Sequence, residues 1–268
     1  MALTSDADDE KAARTAHQRA SVVHKSLGLR RHHSDALRAA DAVLLWILYG
    51  RQFGPTAVPF LAKDAGILLD WPGVVPYDIV GDMRTSFLEL ALQAAPSTLA
   101  DKVAKWVEQQ FPSELPEGVH AALETLGVRY ALLIHTWSGL RLVHAPRKSD
   151  GVALFTTLPR VKGDLIPFLS AQISVDAAGG VHAAEWDPAR PRSAQALTWL
   201  VGPLRLVSAG CTPNCKLELD EGLRPLSAML RVTCAIPPGA QLALHDVPQF
   251  FGERLNKLIC VHPVRCTP

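Results

Sequence analysis

All five cysteines of this chain, Cys211, Cys215, Cys234, Cys260 and Cys266, fall near its C-terminal end. The last two bracket a histidine in the run Cys260-Val261-His262-Pro263-Val264-Arg265-Cys266. Thiolates and imidazoles are soft metal ligands, so the clustering points to a local site. Ordinary thiols are the other reading. Just upstream lies Gly202-Pro203-Leu204-Arg205-Leu206-Val207-Ser208-Ala209-Gly210-Cys211-Thr212-Pro213-Asn214-Cys215-Lys216, a strand-like run ending in a turn of small and polar residues. His120, His135, His144 and His182 are scattered without metal spacing, and Trp186 and Trp199 read as packing residues. No nucleophile elbow, phosphate-binding loop or dinucleotide glycine pattern is present.

These residues need elements to position them. The back of the chain carries short runs rich in Val, Leu and Ile between Gly/Pro turns. Val152–Thr157, Ala171–Val175, Leu204–Val207, Met229–Cys234 and Gln241–His245 are expected strands. The front is helical. A helix is expected from Ser34 to Gly50, with Leu37, Ala40, Val43, Leu44 and Ile47 at helical spacing. Further helices are expected over Asp82–Ala95 and from Thr98, whose capping signal precedes Leu99, Val103, Trp106 and Val107 on one face. Glu117–Leu126 reads as a fourth helix ending at Gly127, and Val128–Ile134 as a strand. The expected organisation is a disordered charged tail at 1–32, a helical subdomain at 33–146 and a β-rich domain at 150–268. The fold class is α+β.

The 268 residues suffice for one large domain or two modest ones. With 48% hydrophobic and 20% charged residues, the composition is that of a soluble globular protein. A net charge of +1, with neither half strongly basic, argues against direct non-specific DNA binding. The most apolar run, Ala42–Tyr49, is about half a membrane span, and Met1–Ala20 lacks a signal-peptide pattern. No membrane role is therefore expected. An odd cysteine count fits a reducing, intracellular compartment. Arg30-Arg31-His32-His33 reads as a solvated helix lead-in, or as a nuclear-import or histone-tail element.

The segment from Gly202 to Lys216 resembles the SET-domain signature of protein-lysine methyltransferases, where a strand leads into Asn-His-(Ser/Asp)-Cys-x-Pro-Asn. It is most similar to the branch acting on lysine 20 of histone H4. Gly202, Pro203, Cys211, Pro213, Asn214, Cys215 and Lys216 match that branch in a gapless register. Ile236-Pro237-Pro238-Gly239 through Phe250-Phe251-Gly252 matches a second block at the same length, and Gly151-Val152 to Phe168-Leu169 resembles the opening strands and cofactor loop. The resemblance implies a β-rich SET-like domain at 150–268, with a post-SET-like tail at 255–268. It also implies S-adenosylmethionine as cofactor, a histone or other protein lysine as substrate, and a nuclear location.

Carried over residue by residue, the active site is degenerate. The Asn-His pair that contacts the cofactor becomes Ser208 and Ala209. Losing both side-chain contacts would weaken cofactor binding by roughly 2–4 kcal/mol, about 30- to 1000-fold. The family's channel-lining tyrosine becomes His245, which is either a replacement able to position or deprotonate an amine, or a surface residue at a strand end. The Gly-x-Gly cofactor loop retains only Gly151, a cofactor contact or a plain turn. The implied cofactor-binding positions are thus Gly151, Ser208, Ala209 and Asn214. The family's zinc set maps onto Cys211, Cys260, His262 and Cys266, and Cys₃His is a normal structural zinc set. Cys234 is expected in the core, and Cys215 as a reserve ligand or core. The implied function is lysine N-methylation with weakened or lost activity. The alternative is a non-catalytic SET scaffold, a pseudoenzyme that binds a peptide or chromatin partner.

Overall fold

A computed structural model describes residues 36–37, 39–49, 77–111, 113, 115, 118–144, 152–175, 198–209, 212–220 and 227–244. The charged tail at 1–32 lies outside them, as do Ser34, Gly50, Gly151, Cys211 and everything from His245 onward. The described residues up to Ser138 form one compact unit, and those from Gly139 form another.

The first unit is helical. Helix α1 covers residues 39–49, and residues 36–37 are helical as well. Leu37, Leu44, Leu45, Ile47 and Leu48 are all buried, as in a helix packed on most of its circumference. Helix α2 (Tyr77–Gln93) buries Met83, Phe87 and Ala91, one residue every four, while Asp82, Thr85 and Glu89 face solvent. At one end of α1, the Leu48 carbonyl accepts a hydrogen bond from Arg84 Nε at 3.1 Å. Helix α3 (Leu99–Gln110) buries Leu99, Val103, Trp106 and Val107, the face that the spacing predicts. Its capping differs from the expectation. Thr98 makes no side-chain cap, and its hydroxyl donates backward to the Ala95 carbonyl at 3.2 Å.

Helix α4 (Val119–Ile134) corrects the sequence reading most. It runs straight through Gly127, and the expected strand at Val128–Ile134 is its second half. This helix is buried on nearly every side, so its sequence is mostly apolar round the circumference and has no clear period to separate helix from strand. Gly127 is a contact point rather than a stop. A Cβ there would lie 2.7 Å from Val103 Cγ1, so only glycine lets α3 and α4 approach this closely. Trp106 fills the neighbouring core edge-on to Phe87, with ring centroids 4.8 Å apart, and donates its Nε1 hydrogen to Ser86 Oγ at 2.9 Å.

The second unit is built of strands. A hairpin pairs β1 (Leu140–His144) with β2 (Val152–Thr156), Leu140 opposite Thr156 and His144 opposite Val152. A larger sheet contains β3 (Leu165–Val175), β4 (Thr198–Val201), β5 (Ser208–Ala209), β6 (Cys215–Asp220), β7 (Ser227–Val232) and β8 (Ala243–Leu244), in the order β4-β3-β7-β6-β8-β5. Strands β4, β3, β7 and β6 are antiparallel neighbours, while β8 runs parallel to both β6 and β5. Period-two alternation shows on β7, where Ala228, Leu230 and Val232 are buried and Met229 and Arg231 are not. The pairing of β3 with β7 shifts register between Leu165 and Ser170, where Pro167 has no N–H to give the ladder. The expected strand at Leu204–Val207 is instead a 3₁₀ turn over Pro203–Leu206. Gly202, at φ 113°, turns the chain, and Pro203 starts the tight helix. With helices in front and a mixed sheet behind, the class is α+β as expected. No helix among the described residues is long and apolar enough to cross a membrane.

Candidate functional site

The run from Gly202 to Lys216 is anchored by its apolar residues. Leu204, Leu206 and Val207 are buried, and the Val207 N–H closes the 3₁₀ turn on the Leu204 carbonyl at 3.1 Å. The chain then enters β5, whose two residues are Ser208 and Ala209. Their register partners are Ala243 and Leu244 of β8. The positions of the resembled Asn-His pair therefore lie beside the strand that leads directly, in sequence, to His245.

A second junction lies just beyond. Asn214, half-buried, donates from Nδ2 to the Gln241 carbonyl at 2.8 Å and accepts at Oδ1 from the Ala243 N–H at 2.9 Å. Its backbone is equally occupied. The N–H donates to the Ala243 carbonyl at 3.1 Å, and the carbonyl accepts from Thr233 at 2.9 Å. Both ends of the Asn214 side-chain amide thus bind the chain itself.

The segment before β8 is stitched in turn to β2. A turn at Pro237–Ala240, with Gly239 at φ 79°, directs the chain back. The Gly239 N–H donates to the Thr156 carbonyl at 2.7 Å, Thr156 N–H to the Ala240 carbonyl at 3.0 Å, and Leu242 N–H to the Leu154 carbonyl at 2.8 Å. Arg160 and Ile236 exchange two backbone bonds at 2.9 Å each. Thr156, buried, adds its hydroxyl, which donates to the Leu158 carbonyl at 2.7 Å and accepts from Arg160 Nε at 3.2 Å. Burial pushes the Arg160 guanidinium below its ordinary value, against the opposing pull of Asp164. Sequence reading missed Thr156, because a single threonine in a strand carries no signal of its partners.

The two described cysteines differ in burial. Cys215 is buried at the start of β6, and burial, with Cys234 as a lesser cause, pushes its thiol up to about 12. Its burial is that of a core thiol. Cys234, expected in the core, is exposed, because β7 ends at Val232 and the chain turns outward. Among the described residues no three His, Cys, Asp or Glu side chains cluster as a metal site. The expected ligands Cys211, Cys260, His262 and Cys266 lie outside the described residues, together with Gly151 and His245.

No protein-family model matches the chain. Solved structures similar to it include the following two. One is a Plasmodium falciparum protein described as a histone methyltransferase, at 11% identity and a TM-score of 0.29, over 40% of this chain and 91% of that one. The other is the Neurospora SET-domain protein DIM-5, a histone lysine methyltransferase, at 15% identity and a TM-score of 0.29. That match spans 40% of this chain and 51% of the Neurospora chain.

Proposed function

We propose that this protein is a SET-type protein of the lysine methyltransferase kind, nearest the histone H4 lysine-20 branch, with methyl transfer weakened or lost. One observation carries the reading. The described parts of the three sequence blocks that resemble that family, at 151–169, 202–216 and 236–252, are bound to one another through β2, β5, β8 and Asn214. Chance likeness of isolated short runs gives no reason for the runs to meet.

S-adenosylmethionine, when bound, supplies a methyl group on a sulfonium. The chain would hold it through the backbone of Gly151 and the Ser208–Ala209 strand, since Asn214 has its amide committed elsewhere. Ala209 has no polar side chain, and Ser208 is shorter than the asparagine it replaces. His245 stands where a tyrosine would line the lysine channel. These three replacements favour a second reading as well, a non-catalytic scaffold that takes a peptide or chromatin partner in the old substrate groove. The histone methyltransferase reading carries a nuclear location with it.

Titration calorimetry of the full chain with S-adenosylmethionine tests the proposal. We expect no saturable binding at micromolar cofactor, and a gain on combining Ser208→Asn, Ala209→His and His245→Tyr. The gain should approach the lost 30- to 1000-fold, less any repacking cost. A folded triple variant with no gain would overturn the alignment, and tight binding by the unaltered chain would replace a weakened enzyme with a competent one. Zinc at Cys211, Cys260, His262 and Cys266 is a separate part of the reading. Metal analysis after zinc-replete expression should give about one zinc per chain, and below about 0.1 the site is absent.

A further inference from the structure

We infer that Asn214 is a positioning residue, which holds β8 in register against β5 rather than touching cofactor or substrate. The inference deepens the proposed function and rests on it only for its consequence at the cofactor loop. Three facts carry it. The side chain is used at both ends, on Gln241 and Ala243, which flank the buried Leu242. The backbone of the same residue binds Ala243 a second time and Thr233 once. Ala243 is also the residue that pairs with Ser208 across the parallel β5–β8 contact.

Among the described residues the β5–β8 ladder holds two pairs, Ser208 with Ala243 and Ala209 with Leu244. So few pairs specify register weakly, and an asparagine amide suits the task of bracing them. It donates and accepts within one plane, so it can bind a carbonyl and an N–H two residues apart on one extended chain. Aspartate keeps the acceptor for the Ala243 N–H and loses the donor for Gln241. Alanine loses both. Asn214 sits one position before Cys215, which is itself the register partner of Leu244, so the brace acts where β8 meets its other neighbour.

Amide hydrogen exchange on the full chain, without cofactor, tests this. Asn214→Ala should raise exchange at residues 243–244 and 208–209 by about 10-fold or more, the scale of one or two lost hydrogen bonds. Asn214→Asp keeps the acceptor for Ala243 but sets a carboxylate oxygen against the Gln241 carbonyl, so its rise at the same residues should be at least as large. Exchange at Leu217 and Leu230, within the β6–β7 pair, should stay at its original rate. No rise at 243–244 and 208–209 in Asn214→Ala, or a rise spread evenly through β6 and β7, would mean that Asn214 only supports the fold and would overturn the inference. If Asn214→Ala does not fold, Asn214→Ser makes the same comparison with a shorter acceptor. The readout does not depend on cofactor binding. Failure of the methyltransferase reading therefore leaves this result standing, and failure here leaves the calorimetry to decide that reading alone.

Discussion

The helical unit buries a charge, whereas the strand unit buries a thiol. Arg129 on α4 is 2% exposed, and beside it Asp41 of α1 is fully buried and accepts a hydrogen bond from Tyr130 Oη at 2.7 Å. Burial pulls the Arg129 guanidinium down to about 10, and the Asp41 carboxylate, then the Tyr130 phenol, oppose that pull. In the strand unit, Cys215 meets the same loss of water with no charge to balance, and it stays neutral. An arginine that keeps its charge in a dry core needs a counter-charge, so its helix is tied to a particular partner. A thiol that gives up its charge needs none, so the strand around it is free to be held by backbone bonds and Asn214. The first arrangement specifies which helices pack together. The second leaves the register of short strands to a few polar contacts.

The largest expected effect lies in the helical unit. Asp41→Ala leaves the Arg129 charge buried without the carboxylate that opposes it, a loss of about 3–5 kcal/mol. Unfolding in urea, followed by the helical circular dichroism signal, should show that loss. Adding Arg129→Met should recover most of it, since an apolar side chain of similar length replaces a buried charge at little cost. A loss below about 1 kcal/mol for Asp41→Ala, or no recovery in the double variant, would break the comparison. The buried charge would then contribute nothing to the choice of helix partner.

What the sequence made legible depended on whether one face of an element is wet. Helix α3 has one dry face, and Leu99, Val103, Trp106 and Val107 are the residues its period predicts. Strand β7 alternates for the same reason. Helix α4 is dry all round, so its second half passed for a strand, and Gly127 passed for a stop although it serves a 2.7 Å approach to Val103. At the site, the motif residues were legible by type. The role of Asn214 was not legible. It depends on Gln241 and Ala243, 27 and 29 positions away, and local spacing says nothing about such partners. Cys234 reads as a core residue because it closes the strand-like run Met229–Cys234, but the strand stops two residues earlier.

A smaller effect sharpens the comparison from the strand side. The Cys215 thiol has an ordinary value of 9.0 and is raised to about 12 in the folded chain. A raised acid favours its neutral form in the folded state, so its contribution to stability is complete below pH 9. Above that the unfolded chain loses the proton and the folded chain does not, so the contribution falls away until pH passes about 12. Between pH 8 and pH 10 the loss from this group should be about 1 kcal/mol. The measurement is urea unfolding at both values under reducing conditions, on the chain as it stands and on Cys215→Ala. The variant starts less stable, because it leaves a small cavity, but its stability should fall less between the two values. Using the difference between the two proteins removes the titration of every other group. Parallel slopes would mean that the folded Cys215 titrates like an exposed thiol. The strand unit would then no longer be the neutral counterpart of the buried charge around Arg129.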